Sequence, residues 1–146
     1  MSPGTHIEAV HTEADILSLL EEEEADYRAM HAVALAQRES LGRDDMEGVN
    51  ASLARTNALM GRIQLRRARL PADLVSRGGA ALAQRRDAIR SAIMQVEGVR
   101  RANEETVRGL LEETRRELRQ TTKGRKVARG YRAARVEEAR FYDGRR

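Results

Sequence analysis

The sequence contains no cysteine and no tryptophan, and only two of its 146 residues are proline. Without cysteine the chain cannot form disulfides or thiolate metal sites, which fits a reducing compartment. Aromatic residues make up 3% of the chain, whereas charged residues make up 34%. Together with abundant Ala, Leu, Glu and Arg, this composition is typical of long helices and coiled coils and disfavours a sheet-built enzyme.

Long apolar runs are also missing from the sequence. No segment approaches the roughly 18 consecutive apolar residues that a membrane span needs. The segment from Met1 to His11 lacks the apolar core of a signal peptide. We therefore expect a cytoplasmic protein that does not insert into a membrane.

Apolar residues that recur three and four positions apart predict three helices, over residues 12–41, 44–68 and 80–120. Thr12 is the predicted N-cap of helix one, with Asp15 in capping-box position. At its other end, Gly42 is expected to take a positive φ. The predicted stripe of helix one comprises Ile16, Leu20, Tyr27, Met30, Ala34 and Leu41. The stripe of helix two comprises Met46, Val49, Leu53, Thr56, Met60 and Ile63, after an entry signal of Asp44 and Glu47.

The predicted fold is all-α, with residues 1–146 forming a single domain. Its architecture is an elongated antiparallel three-helix coiled-coil bundle with a basic C-terminal tail or short helix. Residues 1–11 are expected to fray, and residues 124–146 to form the tail. Pro71 and the pair Gly78-Gly79 predict a break between helices two and three.

The charges are distributed unevenly along the chain. Residues 1–60 hold 12 acids and 4 bases, a balance of −8, and residues 61–146 hold 11 acids and 23 bases, a balance of +12. This asymmetry favours packing of the acidic first half against the basic second half. The alternative is that these charges simply form solvated helix faces, since exposed ion pairs contribute only about 0 to 1 kcal/mol each.

The third predicted helix is about 60 Å long, whereas the first two are about 40 to 45 Å each. Side-by-side packing would therefore leave its apolar end uncovered, to be buried by the tail, a second copy or a client helix. Three of the four aromatic residues lie in the tail that follows. The predicted client-binding surface combines this end with the tail and comprises Val107, Leu111, Leu118, Val127, Tyr131 and Phe141.

Catalytic, cofactor and metal-binding patterns are not found in the sequence. Joining His6, His11 and His31 into a zinc site would require an improbable fold-back of the terminus. The run Glu21–Glu24 is interpreted as solvated helix surface, without a defined acid-base partner. We therefore predict a protein that is not an enzyme and has no cofactor. Asn103 lies on the stripe of helix three, where it either fixes the helix register or sits at the stripe's edge against water.

Basic residues of the tail also suggest contacts with phosphates, with Tyr131 stacking on a base. The acids Glu137, Glu138 and Asp143 interrupt this basic run, and no nucleic-acid-binding motif is found. Nucleic acid is therefore the less favoured partner.

Three segments in order resemble the FlgN-like flagellar export chaperones of bacteria. They are the acidic, leucine-containing stretch Leu17 to Glu24, the turn from Gly42 to Glu47, and the stretch from Asn103 to Leu111. The ending from Arg140 to Arg145 is similar to the aromatic-Asp-basic terminus of several members.

The resemblance implies a cytosolic helical chaperone for flagellar type III secretion. Such a protein binds the C-terminal helical region of hook-filament junction proteins, prevents their premature assembly and delivers them to the export gate. It also implies that a tail tyrosine docks on the gate, for which Tyr131 and Tyr142 are the candidates. The alternative is a coiled-coil adaptor that self-associates and has no secretion client. A homodimer is left open by both interpretations.

Overall fold

The computed structural model describes the backbone of residues 9–143 and the side chains of residues 9–132. These residues form helices and contain no strand, which confirms the all-α prediction. The chain divides into two compact units, Met1–Glu105 and Thr106–Arg146. The elements are α1 (Glu13–Gly42), α2 (Met46–Arg67), a short 3-10 helix (Leu74–Ser76) and α3 (Ala80–Asp143).

Helix α1 begins where the sequence predicts. The Oγ1 atom of Thr12 accepts a hydrogen bond from the backbone N–H of Asp15 at 3.3 Å, so Thr12 is the N-cap. The Thr12 hydroxyl in turn donates to the Asp15 carboxylate. This carboxylate therefore holds the capping side chain in place instead of reaching back to the Thr12 backbone, as a capping box would require.

The turn between α1 and α2 is as short as predicted, but the residue with positive φ and the N-cap of α2 are not at the predicted positions. Gly42 is the last residue of α1, and the positive φ, 53°, falls on Asp44. Asp tolerates this left-handed conformation better than most residues. The N-cap of α2 is consequently Asp45 and not Asp44, and its Oδ1 accepts from the Gly48 N–H at 3.0 Å.

The connection from α2 to α3 is a bent segment that also binds the backbone of Val10 and His11. Gly79 has a φ of 126°, which favours glycine, and its carbonyl accepts from the Ala83 N–H at 3.1 Å as α3 begins. The Val10 N–H donates to the Arg69 carbonyl at 2.9 Å, and Arg77 donates to the His11 carbonyl at 3.0 Å. The end of the segment that was predicted to fray is therefore tied down, while residues 1–8 lie outside the described residues.

The hydrophobic core lies in the first unit and is made by all three helices. The whole predicted stripe of α1 is buried, from Ile16 to Leu41. The stripe of α2 is buried only in part, because Met46 and Leu53 are exposed. The central cluster comprises Ile16, Leu20, Tyr27, Met30, Ile63, Leu82, Ile89, Ala92 and Val96.

Helix α3 continues beyond its predicted end near Gln120 and reaches Asp143, so residues 124–143 are not a separate tail. No proline interrupts this stretch, and its single glycines, Gly124 and Gly130, each cost only about 1 kcal/mol relative to Ala in a helix. The remaining residues are mostly good helix formers. Two isolated glycines are therefore too weak a signal to end a helix.

Candidate helix-binding surface

Acidic residues of α1 are paired with arginines of α2 and α3. Arg66 is buried and donates to the buried carboxylate of Asp26. It also lies 3.3 Å from Glu22, while Arg67 contacts Glu23 at 3.1 Å. The predicted attraction between the acidic and basic parts of the chain is therefore present within the first unit. These contacts bring the C-terminal part of α2 beside the N-terminal half of α1.

The interpretation of Glu21–Glu24 as solvated surface is wrong for two of its members. Glu23 and Glu24 are buried, because α2 and α3 pack over them and supply arginines. The hydrogen bond from Arg85 to Glu24, at 2.6 Å, lowers the pKa of that carboxyl below its usual 4.5, against the opposing effect of burial. Sequence spacing could not show this, since the partners are more than forty residues away.

Tyr27 belongs both to the hydrophobic core and to this network of charged side chains. Its ring belongs to the core, and its hydroxyl oxygen accepts a hydrogen bond from Arg67 at 2.7 Å. Burial raises the pKa of the Tyr27 hydroxyl. The side chains of this network bond to one another, apart from the buried Nη1 of Arg66, and their arrangement is that of a structural ion-pair cluster.

Asn103 is buried, which decides between the two interpretations of its place on the stripe. Its Nδ2 atom donates to the Ala34 carbonyl at 3.0 Å and to the Gln37 side chain at 3.2 Å. It is therefore not a water-facing residue at the stripe's edge. Its hydrogen bonds join α3 to the C-terminal part of α1, where a polar residue can fix the pairing of two helices.

In the second unit, α3 carries an exposed stripe of apolar residues. Val107, Leu110, Leu111 and Leu118 are between 37% and 62% exposed. At about 100° per residue, these four side chains lie within about 100° of arc, the width of a helix face that normally packs against another element. We name these four residues the α3 stripe.

Three threonines lie on the same side of α3, one between these residues and two after Leu118, and make the face more apolar than the sequence suggests. Thr114, Thr121 and Thr122 each donate their hydroxyl hydrogen to the carbonyl four residues earlier, at 2.8 to 2.9 Å. The hydroxyl donors of these threonines are therefore satisfied within their own helix. A helix packed on this face would therefore not leave these groups unsatisfied.

The other predicted client-binding residues do not join the α3 stripe. Val127 and Tyr131 are exposed, but a continuous helix places them about 160° and 120° from the stripe's centre. The prediction of one surface placed these two residues in a tail separate from helix three, whereas the helix continues through these positions. The side chains of Phe141 and Tyr142 lie outside the described residues.

Basic residues follow the α3 stripe along the same helix. Arg125, Arg129 and Arg132 continue its face, at angles within about 40° of Val107. Arg119, Lys123 and Lys126 lie about 100° to 160° away from Val107 and form a separate basic face. All of these residues are exposed.

The described part of the chain offers neither a metal site nor a membrane-spanning helix. Within it, no group of three or more His, Cys, Asp or Glu side chains could hold a metal ion, and His6 lies outside it. None of the described helices combines the length and the apolar character required to cross a bilayer.

Comparisons with known proteins find no match: no protein-family model, no curated protein and no solved structure is similar to this chain.

Proposed function

We propose that this protein is a non-enzymatic chaperone that holds a helix of a client protein on the α3 stripe. The observation that carries the proposal is the exposure of four large apolar side chains on one face of α3. Exposed apolar faces of this kind mark sites where another protein packs, and helix-in-groove binding uses the same three-and-four spacing. The internally bonded threonines support a dry contact.

The resemblance to FlgN-like chaperones gives the proposal its specific form. In that form the protein is cytoplasmic, its helices form an antiparallel coiled-coil bundle, and its client is the C-terminal helical region of a hook-filament junction protein. Masking that region would prevent premature assembly before delivery to the flagellar export gate. Tyr131 is exposed away from the α3 stripe, so it is free to contact the gate while a client is bound.

The test uses a C-terminal helical peptide of a hook-filament junction protein and the full chain. Leu118→Asp on the α3 stripe should weaken binding by about tenfold or more, because it removes a large apolar contact and buries a charge. Val127→Asp is the matched control, since Val127 is 61% exposed and Leu118 is 62% exposed on the same helix. Fluorescence anisotropy measures affinity, and circular dichroism checks that both variants are folded.

Equal losses in the two variants would contradict the assignment of the site to the α3 stripe. Failure of the wild-type chain to bind the peptide would contradict the chaperone proposal itself.

A self-associating adaptor is the second candidate, and the charges beside the α3 stripe favour it. Arg108 and Arg115 lie on one side, about 80° to 100° from Val107, and Glu113 and Glu117 lie on the other. A second copy in parallel orientation would set arginines against glutamates along both sides. Sedimentation equilibrium without client tests this candidate, which predicts a dimer that Leu118→Asp dissociates.

A further inference from the structure

The face that carries the α3 stripe changes its chemistry along the helix. Its first part, from Val107 to Leu118, presents apolar side chains, and its second part presents Arg125, Arg129 and Arg132. With a rise of 1.5 Å per residue, the apolar part is about 17 Å long and the arginine part about 10 Å long. One helix lying along this face would therefore meet both kinds of surface in succession.

The first unit contains an example of a helix packed on an α3 face that combines apolar residues with an arginine. In α3, Arg85 lies three residues after Leu82 and four before Ile89, so by spacing it shares the face of these two core residues. Its guanidinium donates to Glu24 at 2.6 Å and to Glu21 at 3.2 Å. An arginine within an apolar α3 face is thus met by carboxylates of the helix packed on it.

We propose that the partner of the second unit is an amphipathic helix with an apolar stripe that continues, at one end, into carboxylates on the same face. This inference rests on the proposed helix-binding function and specifies the chemistry of the client. The apolar part covers the α3 stripe, and the carboxylates pair with Arg125, Arg129 and Arg132. Arg–carboxylate pairs at the end of an apolar contact fix the register and direction of the bound helix.

Other occupants fit this face less well. A second copy in parallel orientation would place its own three arginines against these three, and like charges at short range repel. In antiparallel orientation the arginines Arg108 and Arg115 would face the same residues of the other copy. A nucleic acid would satisfy the arginines but would leave the α3 stripe uncovered.

The test uses three synthetic helical peptides that share one leucine stripe and differ only in a terminal block of Glu, Gln or Lys. With the full chain at physiological salt, the Glu peptide should bind about tenfold more tightly than the Gln peptide, and the Lys peptide should bind most weakly. If neither the Glu nor the Gln peptide binds, the helix-binding function itself is wrong. If both bind equally, that function stands and the carboxylate preference is overturned.

Charge-reversal variants distinguish binding to the face of Arg125, Arg129 and Arg132 from nonspecific electrostatic attraction to a basic helix. The triple variant R125E/R129E/R132E should lose about tenfold in affinity for the Glu peptide and should bind the Lys peptide more tightly than the wild type does. The triple variant R119E/K123E/K126E makes the same change in net charge on the other face and should change affinity by less than about threefold. Equal losses in both variants would overturn the proposal.

Two further outcomes identify a different occupant and overturn the proposal. One is a wild-type dimer in sedimentation equilibrium that is lost when Arg125 is replaced and whose formation blocks binding of the Glu peptide. The other is binding of single-stranded DNA that displaces the Glu peptide and is weakened only by R125E/R129E/R132E.

Discussion

Single buried residues determine how tightly the first unit is held together, and Arg66 is the clearest case. Its guanidinium is buried, as is the Asp26 carboxylate that it contacts. A buried ion pair is weak evidence for net stabilisation, yet removing Arg66 would leave the buried Asp26 charge with only partial compensation, from the exposed Arg62 at 3.5 Å. Removing a partner from this buried pair should therefore lower the free energy of unfolding much more than removing a partner from the exposed pairs around it.

Arg66→Ala should lower the free energy of unfolding by about 3 to 5 kcal/mol, because Asp26 would remain buried. Arg62→Ala is the control, since Arg62 contacts the same carboxylate at 3.5 Å from an exposed position. Its cost should be about 1 kcal/mol or less. Urea unfolding of both variants measures the difference, and similar costs would show that burial of Arg66 has little energetic weight.

Gly48 is a second residue whose environment decides the effect of a change. A Cβ atom at this position would collide with Ser40 Oγ and with the Asp45 carboxylate that caps α2. Displacing the cap should cost about 1 kcal/mol or more and so offset the helix propensity that alanine gains.

Gly48→Ala should therefore be neutral or destabilising in thermal unfolding. Gly98→Ala is the matched control, because Gly98 lies inside α3 and, apart from its chain neighbours and the adjacent backbone of its own helix, nothing lies within 4 Å of the new Cβ. It should stabilise the protein by up to about 1 kcal/mol. A stabilised Gly48→Ala variant would mean that the turn relaxes without losing the cap.

At the scale of elements, α1 couples folding to pH through the carboxylate of Glu24. The pKa of Glu24 is lowered in the folded protein, mainly by the hydrogen bond from Arg85. Glu24 therefore contributes stability that is fully present above its unfolded pKa and is lost as the pH falls through its lowered folded pKa. The affected window lies at and below its usual value of 4.5.

Arg85→Gln should reduce this acid dependence, so that the variant loses less stability than the wild type when the pH falls from about 6 into this window. Arg90→Gln is the control, because Arg90 contacts Asp87 at 3.5 Å and both of these side chains are exposed. Urea unfolding at several pH values measures both slopes. Parallel curves for wild type and Arg85→Gln would contradict the assigned role of this hydrogen bond.

The helices also show which structural features could be predicted from the sequence and which could not. The start of α1 at Thr12 and the buried stripe of α1 could be predicted, since caps and spacing are local features. The burial of Glu23 could not, because it depends on Arg67 in another helix. The predicted end of α3 was wrong, since isolated glycines resemble a break in the sequence but cost too little to produce one.

The same limit applies to the candidate site. Exposure of Val107, Leu111 and Leu118 agrees with the expectation of an uncovered apolar end. Val127 and Tyr131 lie on another side of the continuous helix, and their direction could not be predicted because it depends on whether the chain bends after Gln120. Arg125 lies on the same side of the helix as the α3 stripe only because α3 continues beyond Gln120.

At the scale of the whole molecule, the described core residues lie in Met1–Glu105. A chain that ends at Glu105 should therefore keep the unfolding midpoint of the full chain to within a few degrees. It should lose helical ellipticity that corresponds to the removed part of α3. Circular dichroism during thermal unfolding tests both expectations, and a strongly lowered midpoint would show that Thr106–Arg146 stabilises the core.

The unbroken course of α3 has a thermodynamic consequence for the second unit. An isolated helix must form its first turn at a high entropic cost, but here the packed half supplies a permanent nucleus from which the helix propagates. Residues 106–132 should therefore show amide hydrogen exchange that accelerates gradually with distance from Glu105, without a step. A partner that binds near the far end would slow amide hydrogen exchange along the whole segment. The number of protected residues would then measure the fraction of chains with a bound partner.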